Sequence, residues 1–314
     1  MYNIENKIKG VNKMDLLKAI KTLKQQKNAV ILAHYYVPEN VQKVADYIGD
    51  SFYLSKIAKN TNADIIVFAG VLFMGESAKI LNPDKKVLLP DMSADCPMAH
   101  MCNANTIEAM RNKYEDLSVV CYINSTADLK AISDVCVTSS NAVRIVKNIS
   151  SKNIFFVPDK NLGSYVAKQV PEKNIICNDG YCPIHKQIEA ESVQQAKQNH
   201  AKALFLAHPE CTEEVLSLAD FVGSTSEIIN FATENPAQEF IIGTEMGVLY
   251  ELMKNNPQKI FYPVSSTQYC ADMKKITLDK IFDTLMNEKH EVHIDEKLAL
   301  LAKKSLDKML ELGK

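Results

Sequence analysis

The stretch DMSADCPMAHMC, residues 91–102, sets two cysteines and a histidine within seven positions, Cys96 to Cys102. Thiolate sulfur and imidazole nitrogen are the donors that hold zinc, soft metals and iron-sulfur clusters. Local spacing leaves the ligand set open, because Cys96 and His100 stand four apart and would suit a Cys/His zinc pair on a helix. The rest of the chain narrows it. Cys96, Cys182 and Cys270 each follow an apolar run and sit in polar text, SADCPMA, DGYCPIH and TQYCADM. The segment around Cys270 has no histidine at the place of His100, so the shared feature is the thiol. Cys102 is expected on a helix, while Cys121 and Cys136 lie inside apolar runs, where cysteine is an ordinary core residue. Cys177 ends such a run and Cys211 follows His208-Pro209-Glu210; neither belongs to the triple.

The elements that position these thiols are legible as short apolar runs: 29–36, 63–70, 86–90, 118–124, 134–140, 153–159, 174–177, 203–208, 220–225, 239–245 and 259–263. They are β-branched and aromatic with little polar alternation, as strands covered on both faces should be. Segments with helical spacing, such as 159–170 and 244–256, lie between them, which predicts βα units with parallel sheets. The first strand of each unit is read as ending at His34, Asn124 and His208. A cysteine follows from 34 to 96, 124 to 182 and 208 to 270, spacings of 62, 58 and 62 residues. The pattern predicts one α/β/α unit used three times, in domains 1–107, 108–195 and 196–314, arranged around a pseudo-threefold axis. Leu and Met at helical spacing predict outer helices at 14–26 and 295–313, with Gly313 near a C-cap and the last helix, 295–314, packing back on the first domain.

Ligands of parallel α/β sheets bind at the carboxyl ends of the strands. Three units facing inward would bring three thiolates to one point and leave a fourth coordination position free of protein sulfur. His34, Asn124 and His208 stand at the same ends, with Tyr36, Tyr122 and Glu210 beside them as acid, base or hydrogen-bonding groups. His185, three residues after Cys182, reads as a substrate-facing or proton-transfer group. Gly49-Asp50-Ser51, Thr138-Ser139-Ser140 and Ser224-Thr225 join strand ends to helix starts; such hydroxyls cap helices, and helix N-termini also receive carboxylates and phosphates.

Composition excludes other classes. The 36 Lys+Arg balance 38 Asp+Glu, so net charge offers no general attraction to nucleic acid or an anionic membrane. No stretch approaches the length of a spanning helix, the first twenty residues hold no apolar leader, and a cytoplasmic location with reduced thiols is expected. A zinc hydrolase has no H-E-x-x-H or C-x-x-C support, nucleotide binding has no glycine-loop support, and a non-catalytic iron-sulfur carrier or redox sensor would ordinarily supply four protein ligands.

Over nearly its whole length the chain resembles the quinolinate synthase family, through HYYVPENVQKVADYIGDS, GVLFMGESAKIL, VLLPDMSADCPMA, YINSTADLKA, VTSSNAVRIV, PDKNLGSYVAK, GYCPIH, HPEC, GST and FYPVSSTQYC. The resemblance implies a [4Fe-4S] cluster on Cys96, Cys182 and Cys270, whose unliganded iron acts as Lewis acid. It implies a transferase that condenses iminoaspartate with dihydroxyacetone phosphate to quinolinate in NAD biosynthesis, releasing phosphate and water. An L-aspartate-oxidising enzyme would be the partner that supplies iminoaspartate. By the same resemblance, His34, Ser51, Tyr122, Asn124, Ser139, His208, Glu210 and Thr225 fall at substrate-binding positions, and Ser224 and His185 line the same pocket. Tyr36 matches the catalytic tyrosine of an H-x-Y motif, Glu210 is the expected acid/base, and Tyr122 and His185 assist. Where the motif carries Gln after its tyrosine, this chain has Val37.

Overall fold

The computed structural model describes residues 13–313; residues 1–12, the start of the segment read as lacking an apolar leader, lie outside them. Three four-stranded sheets use one order. β1 (Ala29–His34), β2 (Tyr47–Gly49), β3 (Ile65–Ala69) and β4 (Lys86–Leu88) form the first, in the order β2-β1-β3-β4. β5 (Leu117–Tyr122), β6 (Val135–Val137), β7 (Asn153–Val157) and β8 (Asn174–Cys177) repeat it as β6-β5-β7-β8. β9 (Leu204–Ala207), β10 (Phe221–Val222), β11 (Glu239–Gly243) and β12 (Ile260–Pro263) repeat it as β10-β9-β11-β12. Every pairing between these strands is parallel, so the expected α/β class with three parallel-sheet units is the observed one. Eleven of the strands fall in the apolar runs named above. The twelfth, β2, is three residues long and begins with Tyr47, 40% exposed, so it gives no buried run to read.

Helices cover both faces of the sheets, which accounts for strands without alternation. On the third sheet Phe205, Ala207 and Ile241 enter one apolar cluster, while Leu206, Phe240 and Ile242 enter another on the opposite face. The first two sheets share a continuous core with the C-terminal helix Glu296–Leu312. That helix buries Ala302, Ser305, Leu306, Met309 and Leu310, a stripe at helical spacing. It packs against helix Leu72–Leu81 of the first unit and, more extensively, along helix Ala127–Ala131 and β6 of the second.

One polar clamp recurs in all three units and sets their register. Asp46 Oδ2 accepts the Ile31 N–H at 2.8 Å, Asp134 Oδ2 the Val119 N–H at 2.7 Å, and Asp220 Oδ2 the Phe205 N–H at 2.7 Å. Each aspartate returns its own N–H to the carbonyl of the same partner. A cation from the helix before the first strand completes each clamp: Lys24 at 2.6 Å, Arg111 at 2.9 Å and Lys197 at 3.1 Å. The clamp ties the start of the second strand to the middle of the first.

This register corrects the expected alignment of strand ends. Counting from the clamped residues, His34, Tyr122 and His208 are equivalent, and Asn124 belongs instead with Tyr36 and Glu210. The spacings to the cysteines become 34 to 96, 122 to 182 and 208 to 270, or 62, 60 and 62 residues, more even than the expected set. Ser51, Ser139 and Thr225 each stand five residues after a clamp aspartate and are equivalent too.

A hydrogen bond to an ionised group contributes about 1.5–3 kcal/mol, less when half exposed, whereas an exposed ion pair contributes under about 1 kcal/mol. Asp220→Ala should therefore lower stability by about 1–2 kcal/mol, read as a reduced denaturant midpoint. Asp179→Ala, which removes an ion pair from a side chain 90% exposed, should leave the midpoint nearly unchanged.

Candidate active site

The carboxyl ends of β1, β5 and β9 face one cavity of about 190 Å³, several times the roughly 30 Å³ that one water occupies in the liquid. Cys96, Cys182 and Cys270 all line it, together with His34, Tyr36, Ser51, Tyr122, Asn124, Ser139, His185, His208, Glu210 and Thr225. Ser224 does not. Its hydroxyl accepts the Glu227 N–H while the Glu227 side chain accepts the Ser224 N–H, so the expected pocket residue is spent on a capping box for helix Thr225–Glu234.

Each of the three cysteines caps a short helical turn, Pro97–His100, Pro183–Lys186 or Ala271–Lys274. Each backbone N–H is donated to a carboxylate: Cys96 to Asp95 at 2.7 Å, Cys182 to Asp159 at 3.1 Å and Cys270 to Glu245 at 3.1 Å. Each cysteine carbonyl accepts an N–H of its own turn, from Ala99 at 2.9 Å, Lys186 at 3.0 Å or Lys274 at 3.2 Å. Burial pushes all three thiols up, reinforced at Cys96 and Cys182 by the negative charge of Glu210.

The remaining cysteines and His100 have other places. Cys102 lies in the loop between turn Pro97–His100 and helix Ala104–Lys113 rather than on a helix as expected, because Asn103 caps that helix and starts it one residue later. His100 is exposed and holds Asp95 at 2.7 Å; the segment is a single 3-10 turn, so the helical Cys/His pair does not form. Cys121 and Cys136 are fully buried register partners on β5 and β6. Cys211 is buried and donates to the Gly243 carbonyl, and Cys177 ends β8.

The polar lining has a defined hydrogen-bonding state. His34 Nδ1 accepts the Tyr36 N–H at 3.2 Å, and His208 Nδ1 accepts the Glu210 N–H at 3.3 Å. A nitrogen that accepts carries no proton, so each neutral ring holds its hydrogen on Nε2. Burial lowers both imidazoles to about 3 against the partial opposition of Glu210. Burial and the charge of Glu210 raise Tyr36 and Tyr122, so both phenols keep their protons at neutral pH. Burial favours a protonated Glu210, but His185, 2.6 Å away, outweighs it and holds the carboxyl below its usual range. Glu210 Oε1 and Asn124 Oδ1 are buried without a hydrogen-bond partner, a costly arrangement that a bound donor would relieve.

Several contributors were not read from the sequence. Asp159 and Glu245 each stand two residues past the third strand of a unit, a shared position that alignment of β7 and β11 would have exposed. Lys274 bonds both Glu245, at 2.6 Å, and the Tyr36 carbonyl, joining the third unit to the loop after β1 of the first. Gly247 is needed there: a Cβ would come within 2.7 Å of the Tyr36 Cα.

The donor set fits a soft metal centre. Three thiols converge on a cavity where burial and neighbouring carboxylates oppose their ionisation, so a bound cation is what would hold them as thiolates. Within it Cys182, His185 and Glu210 bring one ligand atom each to within 4.8 Å of one another, a candidate metal-binding group.

These features define a class: an α/β protein of three parallel-sheet units with a buried, thiol-lined polar cavity at the strand ends. The family model described as "Quinolinate synthetase A protein" matches residues 18–311, and the chain belongs to that family. It is 54% identical over 294 residues to a protein of Caldicellulosiruptor saccharolyticus, covering 94% of this chain and 97% of that one. Similarity to a Fusobacterium nucleatum protein is 52% over 294 residues, with 94% and 98% covered. For a Clostridioides difficile protein it is 49% over 300 residues, with 96% and 98% covered. All three are named "Quinolinate synthase".

In the unfolded chain His34 and His208 take up protons near the usual pKa of about 6.5; in the folded chain they do so only near 3. Stability is then full above about pH 6.5 and falls as pH drops toward 3, by up to about 1.4 kcal/mol per imidazole per pH unit. Denaturant midpoints at about pH 7.5 and about pH 5 check this. The expected drop at the lower pH shrinks in a His34→Asn, His208→Asn double variant.

Proposed function

We propose that the chain is a quinolinate synthase: a transferase that condenses iminoaspartate with dihydroxyacetone phosphate, releasing phosphate and water, in NAD biosynthesis. The observation that carries this reading is the meeting of three thiols with Tyr36 and Glu210 in one cavity of a chain from this family. Cys96, Cys182 and Cys270, one from each of three pseudo-threefold-related domains (1–107, 108–195 and 196–314), would hold a [4Fe-4S] cluster. When bound, the cluster supplies an iron with one position free of protein ligands, a Lewis acid for substrate oxygen or nitrogen.

The chain's own groups do the rest. His34 and His208 present Nε2–H donors to substrate carboxylate or phosphate, and Ser51, Ser139 and Thr225 add hydroxyls at the strand-to-helix joints. Asn124 and Tyr122 orient the substrate beside Glu210. Glu210, a carboxylate with one unpartnered oxygen, accepts a proton during tautomerisation and returns it to the departing hydroxyl, which leaves as water. Tyr36 serves as the second proton-handling group, His185 holds Glu210 in place, and the apolar wall of Val71, Phe73 and Met74 limits water around the reacting atoms.

The proposed setting is the cytoplasm, with an L-aspartate-oxidising enzyme supplying iminoaspartate. Among the described residues no helix is long and apolar enough to cross a membrane. A non-catalytic redox sensor or carrier fits less well, since neither role uses the carboxylate, phenol and hydroxyl lining.

Anaerobically purified protein should contain about four irons per chain. Cys→Ser at 96, 182 or 270 should remove the cluster, while the same change at 121 or 136 retains it, measured by iron content and visible absorption. Cluster-loaded protein given iminoaspartate and dihydroxyacetone phosphate should form quinolinate, followed chromatographically. A loaded sample that forms none would overturn the assignment in favour of the sensor.

A further inference from the structure

Glu210 is tied to the protein at three points. Its N–H is donated to His208 Nδ1 at 3.3 Å, its carboxylate Oε2 meets His185 Nδ1 at 2.6 Å, and its carbonyl accepts a bond from Asn161 Nδ2 at 2.9 Å. His208 belongs to the same unit as Glu210. Asn161 comes from the second unit, in the first turn of helix Lys160–Gln169. A carbonyl can only accept, so the amide of Asn161 presents its NH2 to Glu210 and the orientation of the amide follows.

The place of Asn161 is set by the sheet register. Val67, Phe155 and Ile241 pair with the clamped residues Ile31, Val119 and Phe205, and six residues further on stand Phe73, Asn161 and Gly247. All three touch the unit that follows in cyclic order. The Phe73 carbonyl accepts from Lys130 Nζ of the second unit at 3.4 Å, and the Gly247 carbonyl accepts from Gln42 Nε2 of the first at 3.1 Å. Phe73 and Gly247 make these bonds through the backbone. Of the three, only Asn161 has a polar side chain, and it spends it on the residue proposed as acid/base.

We infer that Asn161 is a positioning residue for the reaction, its amide holding the Glu210 carbonyl so that the carboxylate is aimed into the cavity from a fixed backbone. The inference rests on the function proposed above. The direction of a Cα–Cβ bond follows from the two rigid peptide planes on either side of it. The bond to His208 fixes the plane before Glu210, and the bond from Asn161 fixes the plane after it. With both held, Oε2 stays on His185 and the unpartnered Oε1 keeps one place in the cavity. Release of the second plane lets the carboxylate swing while the rest of the lining stays put. A proton acceptor works only within about 3 Å of the proton it takes, and a displacement of about 1 Å can cost about 100-fold. The loss therefore falls on turnover more than on binding.

The test uses Asn161→Leu, which keeps the shape of the side chain and removes the donor; a smaller residue would admit water to the carbonyl from the groove of about 530 Å³ that Asn161 also lines. Lys168→Ala is the control, because it breaks a different contact between the same two units, the exposed Lys168–Glu213 pair at 2.6 Å. Both are assayed as cluster-loaded protein with iron content checked. Asn161→Leu should lower kcat by about 10- to 100-fold with KM within about threefold of wild type, while Lys168→Ala keeps wild-type kcat. A Leu variant with wild-type kcat, a change confined to KM, or equal damage in the control would each overturn the inference. Where Asn161→Leu does not fold, Asn161→Asp, also of the same shape and without the donor, takes its place with the same outcomes. A second readout does not depend on turnover: the 13Cδ resonance of Glu210, assigned with Glu210→Gln, should move in Asn161→Leu and stay in place in Lys168→Ala. An unmoved resonance in the Leu variant also overturns the inference. If loaded wild-type protein forms no quinolinate, the proposed function falls, and the resonance alone decides whether Asn161 sets the place of the Glu210 carboxylate.

Discussion

The clamp between a strand-leading aspartate and the strand beside it carries the architecture. A parallel sheet could slide by two residues and keep its apolar faces covered. The paired bonds of Asp46 with Ile31, Asp134 with Val119 and Asp220 with Phe205 remove that freedom. Because each sits a fixed distance before a strand end, the same bonds fix how far His34, Tyr122 and His208 project. The Ser51, Ser139 and Thr225 hydroxyls are fixed with them. The cavity is therefore a product of register before it is a product of any residue lining it.

Placing polar groups there has an electrostatic cost that the sequence offsets locally. The three cysteine N–H groups point at Asp95, Asp159 and Glu245, and the two backbone-anchored imidazoles stay neutral. Glu210 stays ionised through His185. Apart from Asn124 Oδ1 and Glu210 Oε1, which are left without a partner, these groups are held by protein contacts, so the lining is ordered before any ligand arrives, which is how preorganised sites lower the cost of reorganisation.

Much of this was legible in the sequence. Buried parallel strands are dense in Val, Ile and Phe, and the cysteines stand out because they break into polar text at a constant interval. β2 was missed because a short, half-exposed edge strand carries no apolar run. The alignment of Asn124 with His34 failed because a strand end can be judged only to within a residue or two, whereas the clamp counts exactly three residues from Val119 to Tyr122. The text DYIGDS, DVCVTS and DFVGST, starting at 46, 134 and 220, held the correct register all along. Ser224 was assigned to the pocket because a hydroxyl at a helix start has two uses, and only coordinates reveal that Glu227 claims it.

The repeated addresses are not filled alike. Tyr36, Asn124 and Glu210 occupy one address; His34, Tyr122 and His208 another; Val71, Asp159 and Glu245 a third. A chamber with three matching walls would accept a guest in three turned copies of one pose. Here a phenol, an amide and a carboxylate face inward from the matching places, and only one rotation pairs each with its complement. The divergence of the three copies thus removes the rotational equivalence of the walls, so that an unsymmetrical guest meets a different chemistry in each of its three turned poses.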